Sequence, residues 1–179
     1  MQRRSALKRL LVVVGGVMVI PACLNDESEK VSAYPKLALT SKDEATIAAV
    51  AETILPTGKS PGAIDTGAHL FALRMINDCS EPEAQKSFLQ GLKEFNDSCK
   101  KEHGDAFVSC SLPKQQQIIA ALEKGDPKTN TGIFYKTLKQ YSIRGYLNSK
   151  PVLGTILEYK LVPGKYNGSA PLPNIIHPA

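Results

Sequence analysis

The sequence lacks most of the features that accompany nucleotide binding and β-structure. It has no tryptophan and only 6% aromatic residues, so a folded core must be mostly aliphatic. No alternating apolar pattern runs for more than about four residues, which argues against half-buried strands. Neither a dinucleotide fingerprint nor a phosphate-binding loop occurs.

Catalytic and metal-binding patterns are also missing. The chain has three histidines, His69, His103 and His177, and they are widely separated. There is no CxxC, no CxxCH haem motif and no GxSxG nucleophile motif. The dispersed cysteines and histidines do not have the spacing of metal ligands. We therefore predict a protein without catalytic residues and without a cofactor or metal of its own.

What is present begins with an export signal over residues 1–23. Arg3 and Arg4 stand side by side before an apolar run, Leu10–Ile20, and small residues follow. A charged start, a short apolar middle and a small-residue cleavage region are typical of a secretory signal. The paired arginines resemble the twin-arginine class, which exports folded proteins. The apolar stretch from Leu10 to Ala22 is only about thirteen residues long, short of the roughly 20 that a spanning helix needs.

The end of this signal leaves three possibilities open. Ile20–Cys23 resembles a lipobox, in which Cys23 is lipidated after cleavage. Cleavage near Ala22 without lipidation, or an uncleaved N-terminal anchor, are the alternatives. In each case the protein is expected to be exported, either periplasmic or anchored in the membrane.

The positive charge of the chain belongs mainly to this signal. The net charge of +5 falls to +1 without its four basic residues, Arg3, Arg4, Lys8 and Arg9. Binding to nucleic-acid phosphates needs a basic face. We therefore expect no nucleic-acid partner.

The cysteines agree with an oxidising compartment. An exported protein can keep disulfides, and Cys99 and Cys110 flank a short connection, which makes them the favoured pair. Closing such a loop contributes about 2–3 kcal/mol in the chain-entropy model. Cys79 would remain as a buried or interface thiol.

Helical periodicity dominates the rest of the chain. Residues 24–39 are polar and mixed and predict a tether, and a helical domain is expected over residues 40–179. The spacing predicts helices over residues 41–55, 68–79, 81–103, 111–123 and 131–146, with a short helix near 151–157. Ser41, which has capping-box spacing to Glu44, and Ser80 are the predicted caps of the first and third helices. Pro163, Pro171, Pro173 and Pro178 disfavour regular structure from about residue 159. The prediction is a small, irregular all-α domain of about five to six helices with an extended C-terminal arm.

Two stretches are richer than a generic helical domain requires. The first is the loop Pro61–Gly67, in which Gly62 and Gly67 permit unusual backbone angles and Asp65 can cap the next helix. The second runs from Tyr146 to Gly168. Its candidate contact residues are Tyr146, Tyr159, Pro163, Gly164, Tyr166 and Gly168. Tyrosines on an extended arm suit a partner surface, although the arm could equally wrap over its own domain.

These stretches resemble the gluconate 2-dehydrogenase subunit 3 family. The resemblance rests on residues 51–56, 60–67, 143–146, 157–159 and 162–168, in this order behind the paired arginines. It implies an accessory small subunit of an exported flavin-dependent sugar or polyol dehydrogenase. FAD and the oxidation would then belong to a large partner subunit, and a cytochrome c subunit would often take the electrons. The resemblance also implies that the small subunit supplies the twin-arginine signal and supports maturation of its partner.

A hypothesis from another class is a free-standing exported lipoprotein that binds a ligand or acts as a scaffold. The absence of a dehydrogenase partner would favour it.

Overall fold

The computed structural model describes residues 33–157, 159–162, 164 and 168–169. These residues form five α-helices and no β-strand, which confirms the all-α prediction. The helices are α1 (Ser41–Ile54), α2 (Ala68–Cys79), α3 (Pro82–His103), α4 (Leu112–Lys124) and α5 (Asn130–Leu147). A 3-10 turn, Phe107–Ser109, precedes α4, and a π-helical turn, Val152–Ile156, follows α5.

The N-cap of α1 lies one residue before the predicted cap, Ser41. Thr40, not Ser41, is the N-cap: its hydroxyl accepts from Asp43 N, and Asp43 Oδ2 accepts from Thr40 N at 3.1 Å. The sequence contains two overlapping Ser/Thr-x-x-Asp/Glu patterns, and either one can form a capping box. The observed register turns Ile47 and Val50 fully into the core.

Helix α3 is also capped differently from the prediction. Ser80 was expected as its cap, but Glu81 is the N-cap and makes no side-chain cap bond. The connection is held instead by the buried Gln85, whose Nε2 donates to Ile76 O and Asn77 O at 3.0 Å and to Ser80 O at 3.2 Å. This side chain therefore satisfies backbone carbonyls at the end of α2 that have no helical donor.

The two ends of α2 mark two distinct ends of the domain. At the end of α2, Lys36 N donates to Asn77 Oδ1 at 3.0 Å, so the chain comes into the domain there. We call this the proximal end. At the distal end α1 and α5 finish and α2 and α4 begin, since Tyr146 packs on Ala51, Ala63 and Ala68. Phe71 of α2 contacts Gly145 of α5 there, and Thr53 of α1 lies 3.5 Å from Gln115 of α4.

The core lies between α3 and α5, with α1, α2 and α4 around them. Phe88 and Phe95 of α3 pack on Phe134 of α5, with ring centroids 5.2 and 5.6 Å apart. Phe107 extends this group against Phe95 at 5.2 Å. The helices approach closely at Gly91, where an added Cβ would lie 2.7 Å from Phe134 Cβ and would overlap the backbone of Asn130.

The packed domain reaches further towards the N-terminus than the predicted tether allows. Tyr34, Leu37 and Leu39 are only 5%, 0% and 1% exposed and belong to the main core. Residues 34–39 are therefore part of the domain, although they show no helical period. The rest of the predicted tether and the whole signal, including Arg3, Arg4 and Cys23, lie outside the described residues. Within the described part of the chain, no helix has the length and hydropathy needed to span a membrane.

Candidate partner-binding cleft at the distal end

Glu52 organises the loop that connects α1 to α2. Its Oε1 accepts from Thr57 N at 2.8 Å and from the Thr57 hydroxyl at 2.7 Å, and its Oε2 accepts from Ile64 N at 2.9 Å. Glu52 lies in the last turn of α1, where the helix dipole disfavours a negative charge. The three hydrogen bonds compensate for this position and bind both sides of the loop to the helix.

Asp65 closes the same loop from its other side. Its Oδ2 accepts from Gly62 N at 3.0 Å and lies 2.8 Å from the Thr57 hydroxyl. The predicted role of Asp65 as a cap for α2 is wrong: the N-cap is Gly67, at φ 67°, with no side-chain cap bond. A hydroxyl has one proton, so Thr57 donates to one carboxylate at a time.

Both carboxylates are held in the ionised form. Partial burial is the largest influence on Glu52 and raises its pKa, but the hydrogen bonds from Ile64 and Thr57 outweigh it and leave the pKa lowered. The Gly62 N–H, followed by the Thr57 hydroxyl, lowers the pKa of Asp65. A carboxylate with a lowered pKa is a poor proton acceptor near neutral pH. The arrangement therefore suits holding a loop in shape rather than acid–base catalysis.

The loop and Tyr146 together form a cleft. A cavity of about 410 Å³ lies between the last turn of α1, the loop from Pro56 to Pro61, and Tyr146 near the end of α5. Tyr146 packs on a small cluster formed by Ala51, Ala63 and Ala68. The structure thus brings together two of the predicted contact regions, which are about 80 residues apart in the sequence.

The remaining predicted contact residues are less defined. Tyr159 is 59% exposed, and its backbone N–H donates to Leu153 O at 2.8 Å. Gly164 has φ 72° and Gly168 is exposed. Pro163 and Tyr166 lie outside the described residues, so their predicted role stays a prediction.

The three described cysteines are free. Cys99 is buried in α3, and its pKa is raised to about 11, chiefly by burial and secondly by the neighbouring Cys110. Cys110 is half-buried against the same core. Cys79 is exposed rather than buried. The pairing of Cys99 with Cys110 stays a prediction.

Glu52 is the residue that sequence reasoning missed. The signal for it was an acidic residue in the last turn of a helix without a basic neighbour, which indicates a specific partner elsewhere. That partner, Ile64 N, is twelve residues away and is a backbone group. Among the described residues, no group of three or more His, Cys, Asp or Glu side chains could hold a metal ion.

Comparison with known proteins and protein families identifies a family. No curated protein and no solved structure shows significant similarity to the chain. Residues 41–164, which include all five helices, the cleft and the exposed segment after α5, match the family described as Gluconate 2-dehydrogenase subunit 3. The match covers more than half of the chain, and the protein therefore belongs to the gluconate 2-dehydrogenase subunit 3 family, a family of dehydrogenase subunits.

Proposed function

We propose that this protein is a non-catalytic small subunit of an exported FAD-dependent dehydrogenase, which it accompanies through the twin-arginine pathway. Family membership is the observation that carries the proposal. The chemistry of the loop beside the cleft supports it, because Glu52 and Asp65 hold backbone groups and have lowered pKa values.

The proposed division of labour is the one that the family resemblance implies. The large partner subunit would hold FAD and oxidise a sugar or polyol, and a cytochrome c subunit would accept the electrons. This chain would contribute the Arg3–Arg4 signal and a stable helical body that binds the folded flavoprotein. Lipidation at Cys23 would keep the assembly at the membrane on the periplasmic side.

Export of the two proteins together tests this proposal. We expect the double substitution Arg3→Lys and Arg4→Lys to reduce the amounts of both this chain and the flavoprotein in the periplasmic and membrane fractions. Arg9→Lys changes one arginine outside the pair and serves as the matched control. The measurement is immunoblotting of cell fractions together with FAD fluorescence. Unchanged flavoprotein export in the double variant would refute the escort role.

A further inference from the structure

Exposed apolar side chains are concentrated at one end of the domain. Ten large apolar side chains among the described residues are at least 36% exposed. Three of them, Ile64, Leu70 and Phe71, come from the loop after α1 and the first turn of α2. Leu147 ends α5, and Val108 and Leu112 lie in the connection from α3 to the start of α4. All six of these positions are at the distal end.

The segment after α5 supplies the other four. Leu157, Tyr159, Leu161 and Val162 are 46%, 59%, 82% and 79% exposed. The π-helical turn packs against α5, and Tyr159 N donates to Leu153 O, so this segment leaves the domain at the distal end as well. None of the exposed large apolar residues that the structure describes is at the proximal end.

This distribution is unusual for a protein that remains alone in water. Single exposed apolar residues are normal, but a large contiguous patch marks an interaction surface. Leu161 and Val162 are more exposed than any other large apolar side chain in the described chain, and they contribute nothing to the core. Their exposure needs a reason other than folding.

The family match indicates which partner covers this surface. It extends to Gly164, twelve residues beyond Val152, the last buried apolar residue of the described core. The match therefore includes a segment whose large apolar side chains are exposed in this chain. What its members have in common by description is assembly into a dehydrogenase.

We propose that the distal end, with Leu70, Leu147, Leu161 and Val162, is the surface that docks into an apolar groove of the catalytic flavoprotein subunit. This rests on the proposed function and adds the location and chemistry of the contact. The exposed side chains that carry it are uncharged, so binding should depend only weakly on salt concentration. The predicted contact residues Tyr146 and Tyr159 belong to the same end.

The test compares glutamate substitutions at the two ends. The full chain is co-expressed with the flavoprotein subunit and purified through a tag on this chain, and co-eluting FAD is measured by absorbance. Leu161→Glu and Leu70→Glu should each weaken binding at least about 10-fold, because a charge replaces an apolar contact at an interface. Ala84→Glu is the matched control. It adds the same charge at an exposed position in the first turn of α3, at the proximal end.

Each outcome discriminates between the claims. If wild type recovers flavin and both Leu70→Glu and Leu161→Glu recover it equally well, the proposed docking surface is wrong. The proposed function would still stand. If wild type recovers no flavin, the proposed function fails and the docking surface fails with it. A wild-type chain that is a dimer alone, and a monomer after Leu161→Glu, would assign this end to self-association and overturn the proposal. Circular dichroism verifies that each variant is folded.

Discussion

Gly62 shows how closely the distal loop is packed. An added Cβ there would lie 2.7 Å from Thr57 N and closer still to the Thr57 hydroxyl and the Glu52 carboxylate. These are the groups that hydrogen-bond across the loop, so a side chain at this position would have to separate them. Gly58, four residues earlier in the same loop, has no atom within 4 Å of the equivalent position.

We therefore expect Gly62→Ala to destabilise the protein by about 1–3 kcal/mol through overpacking. Gly58→Ala is the matched control and should change the free energy of unfolding by less than about 1 kcal/mol, because the new methyl group meets open space. Urea denaturation followed by circular dichroism measures both. Equal effects of the two substitutions would contradict the role given to Gly62.

Among the secondary-structure elements, α1 and the loop after it are linked by ionised carboxylates. The pKa values of Glu52 and Asp65 are lowered in the folded state. Their contribution to stability is therefore present above the unfolded-state values, roughly 4.3 and 3.9, and is lost as the pH falls through the lower folded-state values. The loop should loosen in acid before the helices unfold.

Glu52→Gln tests this linkage. At neutral pH it should cost about 1–2 kcal/mol, because the amide places a donor opposite a backbone N–H that the carboxylate accepted from. The difference from wild type should shrink as the pH falls below the unfolded-state value of roughly 4.3 and through the lower folded-state pKa, because the wild-type carboxylate then becomes protonated. Asp105→Asn, an exposed position outside this network, is the control. A difference that stays constant from pH 7 to pH 3 would show that the charge of Glu52 is not involved.

The helices could be predicted from the sequence more completely than their connections. The bounds of α2 agree with the apolar period, and the ends of the other helices agree or differ by one residue. The cap of α1 was misassigned because Thr40 and Ser41 each precede an acidic residue by three positions, so the sequence offers two equivalent capping boxes. The hydrogen bonds of Glu52 could not be predicted, because a side chain that bonds a distant backbone N–H leaves no periodic signal. Tyr34, Leu37 and Leu39 were missed because they lie before the first helix and show no periodic apolar pattern.

For the molecule as a whole, the point where the described chain enters the domain lies apart from the proposed docking surface. The chain joins the domain beside Asn77, whereas the cleft and the exposed apolar residues lie at the other end of α2. A helix of twelve residues is about 18 Å long. A membrane attachment before residue 33 would therefore leave the distal end free for a partner.

Inserting the same Gly/Ser segment of about ten residues at two places tests this arrangement. Placed before Ala33, at the proximal end, it should leave flavin recovery unchanged, since a flexible linker there only lengthens the connection. Placed after Gly58, it enlarges the loop that borders the cleft and should abolish recovery. Loss of flavin with the first insertion would mean that the partner contacts the proximal end.

The buried positions of Tyr34, Leu37 and Leu39 also have a mechanical consequence. A force that pulls on the N-terminal side of the chain acts on these three side chains before it acts on α1. Extracting one fully buried leucine requires about 1.5–3 kcal/mol, and Lys36 N must also release Asn77 Oδ1. When the chain is pulled from its N-terminal side, residues 34–39 must therefore leave the core before the force can unfold α1.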